Sequence, residues 1–277
     1  MSLWRRDQLR ILLSPQQVTL LRLAGGRASR VCDKRIVPCY ASKPGESSWR
    51  NAVNTLRAVL PEFDARKADV FVLLSNHFAR YMLVPHSDEI STANEEEALV
   101  RHHFTQIYGA AAEHWALRLS DSAERGGLRV ACAIDKELPE SLRALFQSTQ
   151  LTLRSIQPYF MAAFNQWRHH FKGAAWFALV EQGSLCLARF QNNHWHSIKS
   201  IKTGNNWFRE LALQLEREEF LSDNGAANAK IPIFIFAPGC SEPTPAQVEK
   251  ESVQLLRLLH PSSTEIVETP YAMAMVG

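Results

Sequence analysis

Chemistry, if this chain of 277 residues performs any, has to come from a small set of side chains. Its histidines cluster. His194 and His196 flank Trp195, and His102-His103 and His169-His170 are adjacent pairs. Residues two apart on a strand share a face, so His194 and His196 can both reach one metal ion. No Cys, Asp or Glu stands beside them in sequence to complete a ligand set, and the pair reads as polar residues on an exposed hairpin. Adjacent histidines on a helix diverge by about 100° and do not chelate together. Ser75-Asn76-His77 lies in no G-x-S-x-G elbow, which leaves a hydrolase triad unsupported. No G-x-x-x-x-G-K-[ST] loop occurs. The five cysteines (Cys32, Cys39, Cys132, Cys186, Cys240) show no C-x-x-C spacing. They read as small buried hydrophobes in a reducing compartment, not as ligands or bridges. One three-residue group remains, Glu181-Gln182-Gly183, an acid and a glycine two apart.

The elements around Glu181 give it a context. Trp176–Val180 is an apolar run, Gln182-Gly183-Ser184 breaks it, and Leu185–Phe190 resumes it. Gln191-Asn192-Asn193 is a second turn, Trp195–Ile201 alternates apolar and polar residues, and a helical pattern covers Trp207–Leu221. Residues 9–60 have the same order. Leu9–Leu13 and Val18–Leu23 are strands around Ser14-Pro15-Gln16-Gln17, Arg35–Tyr40 is a third strand, and Trp49–Leu60 is a helix that Ser47 or Ser48 can cap and Pro61 stops. Two copies of strand–turn–strand–turn–strand–helix half a chain apart predict a duplicated α/β core.

Between the copies, Asp69–Ser75 is a buried-type strand and Phe78–Val84 a second one, interrupted by Arg80. Asn94 is expected to cap a helix that opens on Glu95-Glu96-Glu97, acids that complement its dipole. Strands His114–Leu119 and Leu128–Ile134, a helix Pro139–Gln147 and a strand Leu151–Ile156 complete a unit, about 88–155, that reads as a small inserted α+β subdomain. A helix Tyr159–Phe171 leads into the second copy. The remainder predicts a strand Lys230–Phe236, a turn at Ala237-Pro238-Gly239-Cys240, a helix Pro245–Leu259, a short strand Glu265–Val267 and an apolar tail, Pro270–Gly277, against the core.

Composition narrows the class. With 46% hydrophobic residues the chain suits one large or two medium folded domains. No apolar run approaches the roughly 20 residues that span a bilayer. MSLWRRDQLR has no apolar core of a signal peptide, so a cytoplasmic protein is expected. Net charge is only +3, yet residues 1–40 carry eight basic against two acidic side chains. They read as a solvated face, with attraction to anionic lipid as the functional alternative. No aromatics interleave with these arginines as in a nucleic-acid module, and no nucleic-acid partner is expected.

The order of elements resembles the actin-like ATPase superfamily, and within it the PilM-like proteins and the cytoplasmic domain of GspL, from type IV pilus and type II secretion machinery. The paired hairpins at 9–40 and 174–203, the inserted unit followed by Gln157-Pro158 and a helix, and the ending PYAMAMVG carry the likeness. The resemblance implies a duplicated actin-like (ribonuclease H-like) core with a first lobe at 1–171, carrying the insertion, and a second at 172–277. In active members each hairpin turn holds D-x-G, whose Asp orients magnesium and whose Gly admits phosphate to backbone amides. Here the first turn, Ser14-Pro15-Gln16-Gln17, has neither residue, and Pro15 removes an amide donor. Glu181 and Gly183 stand in the second turn, and Gly239 alone remains of the paired glycines in the adenosine loop. These three are expected as vestigial nucleotide-loop residues, with no cofactor required, weak ATP binding as the alternative, and no hydrolysis.

The expected function by resemblance is a non-catalytic scaffold beneath the inner membrane, docking the cytoplasmic tail of a single-span partner similar to PilN. The alternative is an active actin-like ATPase or sugar kinase. Phe78, Arg80 and Tyr81 are expected to contact the tail, with the inserted unit as the opposite wall.

Overall fold

The structure is a computed structural model that describes residues 6–25, 30–40, 46–63, 67–87, 90, 92–120, 127–192, 194–221, 231–241, 253–258 and 269–275. The expected strand Glu265–Val267 and most of the expected helix Pro245–Leu259 lie outside these residues.

Two five-stranded sheets form the core. The first contains β1 (Gln8–Leu13), β2 (Gln17–Ala24), β3 (Arg30–Pro38), β4 (Asp69–Leu74) and β8 (Thr152–Pro158), in the order β3-β2-β1-β4-β8. The second contains β9 (Ala174–Glu181), β10 (Ser184–Gln191), β11 (His194–Lys202), β12 (Ile233–Phe236) and β13 (Val253–Leu255), in the order β11-β10-β9-β12-β13. In both, the first three strands form an antiparallel meander and the last two add in parallel. In each meander the register shifts after the sixth residue of the middle strand, Arg22 in β2 and Arg189 in β10, leaving Cys32 of β3 and His196 of β11 as the extra residue of a bulge. Same order, same sense and same bulge are what a duplicated unit leaves behind.

Alternation places each strand between two apolar layers. Leu9, Ile11 and Leu13 of β1 face α1 (Ser48–Val59), whose Ala52, Val53 and Leu56 recur at helical spacing. Leu12 points the other way, into a central cluster. In the second sheet, Trp176, Ala178 and Val180 face α5 (Trp207–Leu221) while Phe177 and Leu179 enter the same central cluster. That cluster is built on α4 (Tyr159–Trp167), which buries Tyr159, Phe160, Ala162, Ala163, Phe164 and Trp167. A helix apolar on nearly every side must be covered on every side, and α4 is sandwiched between the lobes. Its Phe164 ring lies 4.3 Å from Trp195, and its Trp167 ring 4.3 Å from Phe236.

A third sheet, β5-β7-β6, comes from β5 (Ala79–Pro85), β6 (Trp115–Leu119) and β7 (Leu128–Asp135). One face packs on α2 (Ala93–Tyr108) through Val84, Val100, Phe104 and Leu117. Tyr81, Val130 and Cys132 turn the other face into the central cluster. The helix α3 (Glu137–Gln147) buries Leu138, Leu142 and Phe146 with α1, and β8 pairs with β4. The expected five-element inserted unit is therefore divided: β5 joins the third sheet, whereas α3 and β8 belong to the first lobe. A parallel edge position needed an apolar strand after a helix, and Leu153 and Ile156 supply it.

Three further expectations change. α2 is capped by Thr92, not Asn94: Thr92 and Glu95 exchange hydrogen bonds in a capping box. Val253–Leu255, expected in a helix, is a strand because Ile233–Phe236 needs a parallel neighbour. Cys132 and Cys186 are buried as expected, but Cys32 is exposed. The apolar tail forms α6 (Thr269–Met275), which returns to the first sheet. Ala272 and Ala274 are buried, and Arg10 donates to the Met275 carbonyl at 2.8 Å. Burial lowers the Arg10 pKa, and a helix C-terminus is a favourable place for a cation.

Candidate functional site

Two concave regions concern function. The first lies between the lobes, where the β1–β2 turn, the β9–β10 turn and the turn after β12 converge. Its volume is about 260 Å³, and Ser14, Gln17, His77, Glu181 and Gly239 line it. That is below the roughly 300–1,000 Å³ usual for small-molecule sites. The β1–β2 turn is closed on itself. The Gln17 N–H donates to Ser14 Oγ at 3.1 Å, and the Ser14 hydroxyl donates to the Gln17 carbonyl at 3.0 Å. Gly183 has φ +82° and Gly239 φ +81°, backbone that favours glycine.

Glu181 ends β9, the central strand of the second sheet, and is 4% exposed. Its carboxylate accepts the backbone N–H of Asn76 from the first lobe at 2.8 Å. Asn76 in turn accepts the Tyr81 hydroxyl at 2.8 Å and the Phe160 N–H at 3.2 Å through Oδ1. Burial pushes the Glu181 carboxyl up to about 7, against the hydrogen bonds from Ser75 and Asn76 that lower it. Next to it, His77 Nε2 lies 2.9 Å from the Gln182 carbonyl, a second bond across the lobes.

The second region is a groove between the third sheet and the first lobe. Its two parts, about 380 and 560 Å³, share Arg118, Arg143 and Ile156 along their walls. β6 supplies one side. At its two ends the His114 carbonyl accepts the N–H of Lys136, the residue after β7, and the Ser120 N–H donates to the Val130 carbonyl of β7. In an antiparallel ladder every second residue does so, which leaves Trp115, Leu117 and Leu119 with their backbone groups at the open edge of the sheet. Arg101 takes up the Trp115 carbonyl at 3.3 Å. Side chains alternate too: Trp115, Leu117 and Leu119 pack toward α2, and Ala116 and Arg118 lie on the opposite face and line the groove. The other side is β8, the outermost strand of the first sheet, together with α3.

No family model matches the sequence, nor does any curated protein. Solved structures do match in shape. A chain of a PilM-PilN type IV pilus biogenesis complex shares 13% identity over 97% of this chain and 96% of its own, with a TM-score of 0.63. The cytoplasmic domain of EpsL, an inner membrane component of the type II secretion system of Vibrio cholerae, shares 11% over 97% and 92%, with a TM-score of 0.57. A protein of actin-like ATPase fold and unknown function from Bacteroides thetaiotaomicron shares 12% over 91% of each chain, with a TM-score of 0.58.

The chain has the actin-like ATPase fold.

Of the three expected nucleotide-loop residues, Glu181 and Gly239 line the interlobe cleft, and Gly183 lies beside it against the His77 ring. Glu181 is turned toward Ser75 and Asn76 of the first lobe. Sequence reading missed Asn76, whose only signal is an amide side chain at the end of a buried strand. Of the residues expected to contact a tail, Phe78 is buried with the first-lobe core, Tyr81 is buried in the central cluster, and only Arg80 is exposed. Arg80 donates to the Ala79 carbonyl at 2.9 Å. None of the three lines the groove, because β5 is at the edge of the third sheet opposite β6, with β7 between them.

Among the described residues no three His, Cys, Asp or Glu side chains form a metal-binding group, and no helix is long and apolar enough to cross a membrane. Several of the described basic residues near the N-terminus are engaged. Arg22 pairs with Asp7 at 2.9 Å, Arg35 with Glu62 at 3.2 Å, and Arg10 with α6.

Proposed function

We propose that this protein is a non-catalytic scaffold of a pilus or secretion assembly platform at the inner face of the inner membrane. Its task on this reading is to hold the extended cytoplasmic tail of a single-span membrane protein, and the groove between β6 and β8 is where the tail docks. The observation that carries the proposal is the unpaired edge of β6 bordering a groove whose two parts meet at Arg118, Arg143 and Ile156. An extended peptide gains main-chain hydrogen bonds from an open strand edge and side-chain contacts from the walls. The fold shared with a PilM-PilN complex and with the EpsL cytoplasmic domain is consistent with this role.

Catalysis lacks support in the cleft. A phosphate there would meet a β1–β2 turn that spends its hydroxyl and an amide on itself, and a Glu181 already bonded to the other lobe. The proposal is tested by replacing Ala116, which faces the groove, with Trp. The cytoplasmic tail of a PilN-like single-span protein from the same cell should bind the wild-type protein and bind A116W at least roughly tenfold more weakly, with melting unchanged. Equal affinity in both places docking elsewhere.

A further inference from the structure

The groove is unevenly charged along its length. Beside β6 and α2 the charges are mixed: Glu97 is paired with Arg101 at 2.7 Å, and Glu113, Lys136 and Glu140 line this part together with Arg118 and Arg143, which border both parts. Where the groove runs along β8, the charged residues lining it are Arg118, Arg143 and Arg154, with no acid among them. Arg154 is neutralised by Asp69 at 3.0 Å. Arg118 and Arg143 are exposed and have no ion-pair or hydrogen-bond partner among the described residues. They belong to opposite sides, Arg118 to β6 and Arg143 to α3.

We propose that the part of the docked tail crossing β8 is acidic, with Asp or Glu carboxylates paired to Arg118 and Arg143. This rests on reading the groove as a docking site and adds the chemistry of its occupant. Two unneutralised guanidinium groups in a concave surface focus positive potential there and favour an anion. The planar fork of Arg matches a carboxylate through two parallel hydrogen bonds. The groove wall between them is apolar at Phe146, Leu153 and Ile156, so the fitting segment is an extended strand with apolar residues and one carboxylate for each arginine. The charge also separates partners, because a basic segment would face repulsion from both sides.

The test pans a displayed library of random peptides, about twelve residues long and hence able to run past both parts of the groove, against the full chain. Peptides excluded by A116W should carry an excess of Asp and Glu. R118Q/R143Q should lose that excess while still enriching apolar peptides, and acidic peptides selected on the wild type should bind it roughly tenfold more weakly. R118E/R143E should select Lys and Arg instead. Both arginines are exposed, so the folded state, followed by circular dichroism, should be retained.

Peptides that A116W excludes but that show no acidic excess would overturn this inference and leave the docking reading standing. If A116W excludes no peptide, the docking reading fails and this inference with it. Binding of phosphatidylglycerol vesicles that requires Arg118 and Arg143, without selection of acidic peptides, would assign the arginines to a lipid surface and overturn the proposal.

Discussion

The Glu181 carboxylate and the Asn76 backbone N–H meet at 2.8 Å, joining the central strand of the second lobe to the turn after β4 in the first. Among the described residues no cation pairs with this carboxylate. Its surroundings are Ser75 and Asn76, the phenols of Tyr81 and Tyr159, and the thiols of Cys186 and Cys240. A carboxyl group in such a place binds its proton more tightly than in the unfolded chain. Its pKa rises from 4.5 to about 7. With the folded value raised, the contribution to stability is complete below about pH 4.5 and is lost as pH rises to about 7. Glu181→Gln keeps an acceptor for the Asn76 N–H and cannot ionise. Wild-type stability should fall relative to E181Q by about 2–3 kcal/mol between pH 5 and pH 8 in paired urea melts. Parallel pH dependence in the two proteins would contradict the burial of an ionisable carboxyl here.

Asn76 holds more than one partner, so its loss should be costly. Asn76→Ala leaves the buried Tyr81 hydroxyl and the Phe160 N–H without their acceptor. Each unsatisfied buried group costs about 1–3 kcal/mol. A total loss of about 2–4 kcal/mol is expected in chemical denaturation. A change below about 1 kcal/mol, within the range of ordinary surface substitutions, would show that water replaces the amide.

Phe164 tests whether α4 fastens the lobes together. Its ring contacts Trp195 and Phe190 of the second lobe. Phe164→Ala should cost about 3–5 kcal/mol and should weaken both lobes together. Two separated unfolding transitions in the wild type would instead mean that the lobes are stable apart.

The cleft predicts how nucleotide behaves. Millimolar ATP with magnesium should leave the melting temperature unchanged, since binding to the folded state alone would raise it. No phosphate release above a buffer blank is expected. Turnover that Glu181→Ala abolishes would restore the enzymatic reading.

Much of the fold was legible because period-2 and helical patterns were strong where burial was strong. Leu9–Leu13, Trp176–Val180 and α1 declared themselves through apolar spacing. β8 and Val253–Leu255 were misplaced because a strand added in parallel is specified by its distant neighbour, β4 or β12, and not by its own turns. The site was legible in one half. Glu181 and Gly183 stood at a turn that could be located from sequence, whereas the open edge of β6 could not. It emerges only when the register with β7 shows which backbone groups of Trp115, Leu117 and Leu119 remain unused.

That edge is also where the docking proposal is most directly measured. In the free protein the Leu117 N–H has no strand partner and should exchange with deuterium quickly. When the tail of a PilN-like single-span membrane protein, the partner proposed above, is added to the full chain, amides in Trp115–Leu119 should slow by roughly tenfold or more, while those of β5 and the second lobe stay as they were. Bound tail with unchanged exchange in Trp115–Leu119, and protection confined to β5 or the second lobe, would contradict docking in the groove.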